Sequence, residues 1–274
     1  MDVAKCIKLL QHTDEEAFLN NCFEKKDTRL IAIPTTAGTG SESTAIAVIY
    51  YHGEKYSVAH ASILPEVAIL DDKLLQSLPE YHRKSAMADA FCQAIESYWS
   101  CGATNESKYY AKQCISLILK YGEKYIADDK ESGFHILKAA NYSGKAIHIS
   151  RTTAAHAMGY KLTTRYGISH GHAVALCMRY CWKGLQIVAT TNALLQARLY
   201  HLAKAMGCDS IEESVALYER FYESLDFPRI EIPKEDIELL VSSVNVERLQ
   251  NHPIALTEED LFKMYTEICL NRKR

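Results

Sequence analysis

The sequence is short of several things, and each shortage narrows what the protein can be. No apolar run approaches the roughly 20 residues of a membrane-spanning helix, so no membrane partner is expected. The start, Met1-Asp2-Val3-Ala4-Lys5, lacks the apolar core and cleavage site of a secretory leader. The nine cysteines are odd in number and include no CxxC pair. That pattern suits a reducing cytoplasm better than a disulfide framework. Internal repeats, low-complexity tracts and long linkers are also missing.

Acidic residues are absent from one long stretch. Between Ser132 and Cys208 there is no Asp or Glu. The same stretch holds Lys138, Lys145, Arg151, Lys161, Arg165, Arg179, Lys183, Arg198 and Lys204. One reading is a positive field that draws an anionic substrate or cofactor phosphates to a site. The other is a basic outer face meeting an acidic surface. A nucleic-acid partner is not expected, because the cations are spread along helices without clustered aromatics or a known binding motif.

What is present suits a soluble protein of one large or two modest domains: 274 residues, 48% hydrophobic and 24% charged. Asp2 to Leu10 has helical spacing of Val3, Cys6, Ile7 and Leu10. Leu30 to Ile33, stopped by Pro34, and Val67 to Leu70 read as buried strands. Thr44 to Tyr51 and Lys55 to Ala59 read as strands joined by a turn at His52-Gly53. Asp71 or Asp72 is placed to cap a short helix before Pro79.

After Pro79 the pattern is helical. The expected spans are Tyr81–Ser100, Asn105–Tyr125, Gly133–His148, Thr152–Tyr166, His172–Trp182, Asn192–Met206, Ile211–Leu225, Lys234–Val244 and Glu258–Leu270. Thr257 with the acids after it makes a good helix start. The expected class is therefore α/β then all-α, with domains 1–79 and 80–274.

Two stretches carry candidate chemistry. Ala88-Asp89-Ala-Phe-Cys-Gln93 puts a lone carboxylate on an apolar helix, which is costly unless the group is paired or metal-bound. His156 and His170 bracket a short helix that ends near Gly167. Asp89, His156 and His170 make a plausible three-ligand divalent-metal site with an open position, ligand atoms about 2.0–2.2 Å from the ion. The plainer alternative is a capped or ion-paired Asp with two hydrogen-bonded histidines. Upstream, Thr35 to Ser41 is a Thr/Ser/Gly loop whose amides and hydroxyls suit phosphate oxygens, although most such loops are turns.

These motifs, in this order, resemble the iron-containing alcohol dehydrogenase family. Asp89 and Gln93 match the family's Asp-x-x-x-His, His156 and His170 match its two later histidines, and Ile33-Pro34-Thr35-Thr36-Ala37-Gly38-Thr39-Gly40-Ser41-Glu42 matches its cofactor loop. The resemblance implies a partial Rossmann-like nucleotide-binding domain followed by an all-helical metal-binding domain. It implies a divalent metal, Fe2+ or Zn2+, held by Asp89, His156 and His170 with Gln93 at the margin. It implies NAD(H) or NADP(H) contacted by Asp2, Thr35, Thr36, Thr39, Ser41 and Lys55. The implied reaction is hydride transfer to or from a small aldehyde or primary alcohol, in a possible homodimer.

Two departures bear on the site. Gln93 stands where the family has a histidine ligand, although similar zinc glycerol dehydrogenases use one carboxylate and two histidines. Tyr160 stands where many members have a second histidine, four residues after His156, so Tyr160 or His172 is expected to handle the proton. With these features the chain looks like the branch that includes phosphonoacetaldehyde reductases. Lys145, Arg151 and Lys161 are then candidates for gripping an anionic substrate. In the family a Gly-Gly-Gly-Ser segment precedes the Asp that matches Asp2. Here the chain begins at Met1, so weak cofactor binding is expected. A catalytically impaired metal- or partner-binding remnant is the competing reading.

Overall fold

A computed structural model describes residues 1–10, 28–51 and 54–270. The N-terminal part holds helix α1 (Asp2–Leu10) and four short strands. Strands β1 (Ile31–Ala32) and β4 (Val67–Ala68) pair in parallel, Ile31 opposite Val67. Strands β2 (Ile46–Tyr51) and β3 (Glu54–Ala59) pair antiparallel, Ile46 opposite Ala59. The expected His52-Gly53 turn lies outside the described residues. A small apolar cluster of Cys6, Leu9, Ala47, Val58 and Ile63 joins α1 to the β2–β3 hairpin.

The expectation that β1 and β4 are buried is corrected. Ile31 is 56% exposed and Val67 48%, and Ile33 and Ile69 are exposed too. Two strands of two residues each cannot cover both of their faces. Apolar composition suggested burial, but burial also requires a covering layer.

Eleven α-helices are described in all. After α1 come α2 (Glu80–Trp99), α3 (Asn105–Ile126), α4 (Ser132–Ser150), α5 (Ala154–Tyr166) and α6 (His170–Ala189). They are followed by α7 (Ala193–Ala205), α8 (Ile211–Ser224), α9 (Ile237–Ser242), α10 (Val246–Leu249) and α11 (Glu258–Leu270). Several starts are fixed by side-chain caps. Thr104 and Ser107 form a reciprocal capping box at α3, and Asn192 and Ser210 cap α7 and α8. Asp71 caps a 3-10 turn over Asp72–Leu75.

Helix α2 is the axis of this region and packs against α3, α4 and α6. From Met87 to Ser97 every residue is buried, so the helix is enclosed on all sides rather than amphipathic. Helix α6 begins at His170 and runs to Ala189, longer than its sequence pattern suggested, because Leu185 and Ala189 also enter the core. The span expected as one helix over Lys234–Val244 divides into a 3-10 turn and α9.

The loop at Gly38 to Ser41 is pinned against the helices. A Cβ on Gly40, which has φ 58°, would fall 2.4 Å from the Cα of Gly144 on α4. Only glycine at both positions permits that approach. Gly38 is also tight against α2, where an added Cβ would fall 2.8 Å from the carbonyl oxygen of Ala86.

Candidate metal centre

Helix α2 places Ala86, Asp89, Gln93 and Glu96 on one face by the helical period. Helix α5 brings His156 onto that face, and the first turn of α6 brings His170. Gly171 allows α6 this close, since a Cβ there would meet the carbonyl oxygen of Ser85 at 1.9 Å. One ligand atom each from Asp89, His156 and His170 lies within 4.8 Å of the others. Asp89 Oδ1 is 3.2 Å from His156 Nε2 and 3.9 Å from His170 Nε2. Asp89 and His156 are buried and His170 is partly exposed. A carboxylate oxygen and two imidazole nitrogens are a suitable donor set for Fe2+ or Zn2+, and the partly exposed side leaves an approach for a further ligand.

Glu96, which the sequence reading left without a role, is fully buried beneath His156. Its Oε2 hydrogen-bonds His156 Nδ1. Its Oε1 accepts from Thr153 Oγ1 at 2.7 Å and from the amide of Ala155 at 2.8 Å. Trp99 Nε1 donates to Thr153 Oγ1 at 3.1 Å. This carboxylate fixes the imidazole so that Nε2 faces Asp89, the usual support for a metal-bound histidine. The signal was present in the sequence: Glu96 is seven residues after Asp89 and shares its helix face.

The electrostatics of the metal-free cluster follow from this geometry. Burial opposes the charge on His156, but Glu96 and Asp89 outweigh it and raise its pKa to about 9. Burial also opposes ionisation of Asp89 and Glu96, yet contacts to His156 hold both below the usual carboxylate range, with His170 helping at Asp89.

Gln93 belongs to the same cluster. Its Nε2 donates to Asp89 Oδ2 at 3.1 Å, and its Oε1 accepts from Ser143 Oγ at 2.9 Å. The amide oxygen is therefore turned towards α4. Tyr160 stacks on His170 with ring centroids 5.0 Å apart, and its Oη accepts from Arg248 Nη1 at 2.7 Å. Burial raises the Tyr160 pKa more than Arg248 lowers it, so the phenol is protonated at neutral pH.

His172, a second proton-handling candidate with a structural role as the plainer alternative, is 1% exposed, with Nδ1 3.1 Å from Tyr81 Oη and its ring stacked on Phe227 at 4.2 Å. Burial lowers its pKa to about 4. These contacts favour the structural role over the catalytic one for His172, which lies two residues beyond the ligand candidate on a different face of α6.

Lys145 also departs from expectation. Ser143 and Gly144 face Gln93 and the loop, and the next residue turns away by the helical period. Lys145 instead lies over the rings of Tyr110 and Tyr142, lining a cavity of about 650 Å3 with Glu42, Lys138, Asn141 and His148. None of the three ligand candidates lines that cavity. Lys161 follows Tyr160 on α5 and is half-buried.

Much of the acid-free stretch is neutralised by structure. Arg165 pairs with Asp236, Arg179 and Lys183 with Glu219, and Lys204 with Asp209, while Arg198 donates to the carbonyls of Trp99 and Ser100.

The cofactor-loop candidates separate into two groups. Thr35 and Thr39 are exposed and Thr36 is half-buried. Ser41 instead donates to Asp2 Oδ1 at 3.3 Å, and Asp2 Oδ2 accepts from the amide of Val48 at 3.1 Å. Lys5, another residue given no role from the sequence, is fully buried. Its Nζ reaches the carbonyls of Ser41, Thr44 and Ile46 at 2.7, 2.7 and 2.8 Å. Burial lowers its pKa to about 8. Lys55 sits opposite Tyr50 in the hairpin, and its side chain lies outside the described residues.

Comparisons with known proteins agree with this architecture. Residues 84–269 match the Fe-containing alcohol dehydrogenase family, C-terminal, and residues 1–72 match iron-containing alcohol dehydrogenase. A phosphonoacetaldehyde reductase of Streptomyces viridochromogenes is 34% identical over 154 residues, covering 55% of this chain but only 39% of the reductase. Long-chain-alcohol dehydrogenase 1 of Geobacillus thermodenitrificans is 29% identical, covering 97% of this chain and 71% of that protein. Sulfoacetaldehyde reductase from Bifidobacterium kashiwanohense, solved in complex with NAD+, superposes with a TM-score of 0.89 at 26% identity, over 98% of this chain and 73% of that one. With one family match covering most of the helical region and a second covering the N-terminal part, the chain belongs to the iron-containing alcohol dehydrogenase family.

Proposed function

We propose that this chain is a metal-dependent alcohol dehydrogenase or aldehyde reductase acting on a small aldehyde or primary alcohol with NAD(H) or NADP(H). The observation that carries the reading is the convergence of Asp89, His156 and His170 above a buried, fully hydrogen-bonded Glu96. These three residues would hold a divalent ion, Fe2+ or Zn2+. When bound, the ion would supply Lewis acidity to a substrate oxygen and the nicotinamide would supply the hydride.

The chain's own residues do the rest. Glu96 holds the proton on His156 Nδ1 and so orients Nε2. Gln93 orients Asp89 through its NH2 group and is itself held by Ser143. Tyr160 keeps a protonated hydroxyl beside His170. Thr35, Thr36 and Thr39 serve the cofactor phosphates, and Asp2 with Ser41 and Lys5 shapes the loop that carries them. Residues 1–79 act as the nucleotide-binding part and 80–274 as the metal-binding part. A cytoplasmic location fits the eight cysteines among the described residues, all of them free thiols. No described helix is long and apolar enough to cross a membrane.

One observation favours a second reading, a metal-binding chain without turnover. The apolar residues Ile31, Ile33, Val67 and Ile69 lie exposed on and beside the two-stranded β1–β4 sheet next to the candidate cofactor loop. The test is NADH and NADPH oxidation against short aldehydes with added Zn2+ or Fe2+, alongside calorimetric titration of each metal. Metal binding with no oxidation selects the second reading, and no metal binding defeats both.

A further inference from the structure

The two histidines of the cluster are held in different ways. His156 is oriented through a ring nitrogen by Glu96. His170 is fixed first through its backbone. The amide of Ser169 donates to Tyr81 Oη at 3.0 Å, Ser169 Oγ donates to Ser85 Oγ at 2.7 Å, and the amide of His172 donates to Ser85 Oγ at 3.2 Å. These contacts tie the residues on both sides of His170 to the start of α2. What remains to be set is the direction of the ring, and that side chain is 32% exposed.

Two other rings touch it. His156 meets it edge-on with centroids 5.5 Å apart, and Tyr160 stacks on it at 5.0 Å with 21° between the planes. Tyr160 is in turn held by Arg248. Nη1 of Arg248 donates to the phenol oxygen at 2.7 Å, and its guanidinium carbon lies 4.7 Å from the ring centre. Arg248 belongs to α10, which packs on α5. The backbone that carries it is anchored. Asn245 Oδ1 accepts from the amide of Arg248 at 3.2 Å. Asn251 Nδ2 donates to the carbonyls of Ser150 and Thr152 at 2.7 and 3.0 Å, across the turn where Arg151 has φ 63°. Asn251 Oδ1 accepts from the amide of Gly102 at 2.9 Å. A path of contacts therefore runs from a fixed backbone through Arg248 and Tyr160 to the ring of a ligand candidate.

We propose that Arg248 is a positioning residue for the metal site: through Tyr160 it sets the direction of the His170 ring and so the affinity for a divalent ion. This rests on the reading above, that Asp89, His156 and His170 hold the ion. Position and charge make opposite forecasts. An arginine that acts only through its charge repels the ion, so its removal tightens binding. An arginine that acts through Tyr160 supports the ligand, so its removal weakens binding, as the loss of other outer contacts to metal ligands does.

The test is calorimetric Zn2+ titration of the parent chain and of its Arg248→Met, Arg248→Lys, Tyr160→Phe and Arg248→Met/Tyr160→Phe variants. Arg248→Met and Tyr160→Phe should each weaken Zn2+ binding about tenfold. The double variant should lie within about threefold of either single one, because both break the same contact. Arg248→Lys keeps the charge and a donor without the planar fork and should recover part of the loss. Co2+ in place of Zn2+ gives a visible spectrum that depends on coordination geometry. That spectrum should change in Arg248→Met and Tyr160→Phe and return part of the way in Arg248→Lys. The thermal midpoints of the metal-free variants should stay within about 3 °C of the parent.

Unchanged or tighter Zn2+ binding by Arg248→Met overturns the proposal, and so do additive losses in the double variant. A larger fall of the metal-free midpoint in step with the Zn2+ loss assigns Arg248 to folding and also overturns it. No Zn2+ binding by the parent chain overturns the proposal together with the metal reading. Zn2+ binding by the parent with no loss in Arg248→Met leaves the metal reading standing and removes only Arg248 from it.

Discussion

Glu96 and Lys5 are both fully buried charges, and they hold together two very different regions. Glu96 lies inside the large helical core and gathers His156, Thr153 and the Ala155 amide around one carboxylate. Lys5 lies beside a cluster of five buried apolar residues and gathers three carbonyls around one ammonium. Each satisfies the rule that a buried charge must be paired or fully hydrogen-bonded. The difference is in the surroundings. Around Glu96 the core is continuous, whereas around Lys5 the nearby sheet leaves Ile31, Ile33, Val67 and Ile69 facing outwards. The candidate metal cluster therefore rests on the well-packed region, and the Thr35–Ser41 loop rests on the thinly packed one, tied back by Gly38 and Gly40.

The largest expected effect is on the helical side. Glu96→Ala removes the acceptor of three buried donors and leaves His156 without its main counter-charge. Loss of one partner from a buried pair costs about 3–5 kcal/mol. Urea denaturation of the metal-free protein should show that loss, and Glu96→Gln should weaken Zn2+ binding about ten- to a hundredfold. A stability loss under 1 kcal/mol for Glu96→Ala would mean that the core around it is not the rigid partner in this comparison.

Next comes the α/β side. Lys5→Met keeps the length of the side chain but deprives the carbonyls of Ser41, Thr44 and Ile46 of their donor. Leaving buried acceptors unsatisfied costs about 1–3 kcal/mol. Hydrogen exchange should speed up at residues 41–48 and stay at parent values through α2 and α6. Faster exchange across both regions would show that the two are one cooperative unit.

The sequence made some of this legible and hid the rest for physical reasons. Local signals were sufficient for the bounds of α1 and for the caps at Thr257 and Asp71, but not for the buried face of α1, where Val3, Ile7 and Leu10 are exposed and Lys5, Cys6, Lys8 and Leu9 are buried. The ligand candidates were legible because a carboxylate and two histidines are conspicuous in apolar helices. Glu96 had a signal of its own in the polar face it shares with Asp89, but three burial partners from another helix gave it meaning. Arg248 had none, since its contact with Tyr160 joins residues 88 positions apart. Lys5 looked like an ordinary helix lysine because its acceptors belong to a turn that only the tertiary fold supplies.

Rising pH should act on the two regions in opposite directions. In the metal-free chain His156 has a folded pKa of about 9 against an ordinary value of 6.5. Its stabilisation is full below 6.5 and is lost as pH rises through about 9. Lys5 has a folded pKa of about 8 against an ordinary 10.5. Between those values the unfolded chain holds more protons, so that contribution grows with pH. The net change between pH 7 and 9.5 should therefore be smaller than either part. Lys5→Met should expose the full alkaline loss from His156. Saturating Zn2+ should remove that loss, because the ion requires the neutral imidazole, and Zn2+ affinity should rise between pH 6.5 and 9. An alkaline loss unchanged by Zn2+ would place its source outside the cluster.

The smallest effect tests the exposed face itself. Ile33 is 48% exposed and Ile69 46%, on the sheet that leads into the cofactor loop. If water covers that face in the folded protein, Ile33→Thr and Ile69→Thr remove little buried area, and each should change stability by no more than about 0.5 kcal/mol. If another surface covers it, the same changes should cost about 1 kcal/mol or more each, since burying a full aliphatic side chain is worth about 1.5–3 kcal/mol. The two cases also differ in concentration dependence. Cover by a second copy makes the midpoint of thermal unfolding rise with protein concentration, and the threonine variants flatten that rise. A midpoint independent of concentration, with both variants within about 0.5 kcal/mol of the parent, would show that the N-terminal region is held by Lys5 and the glycine contacts and not by its sheet.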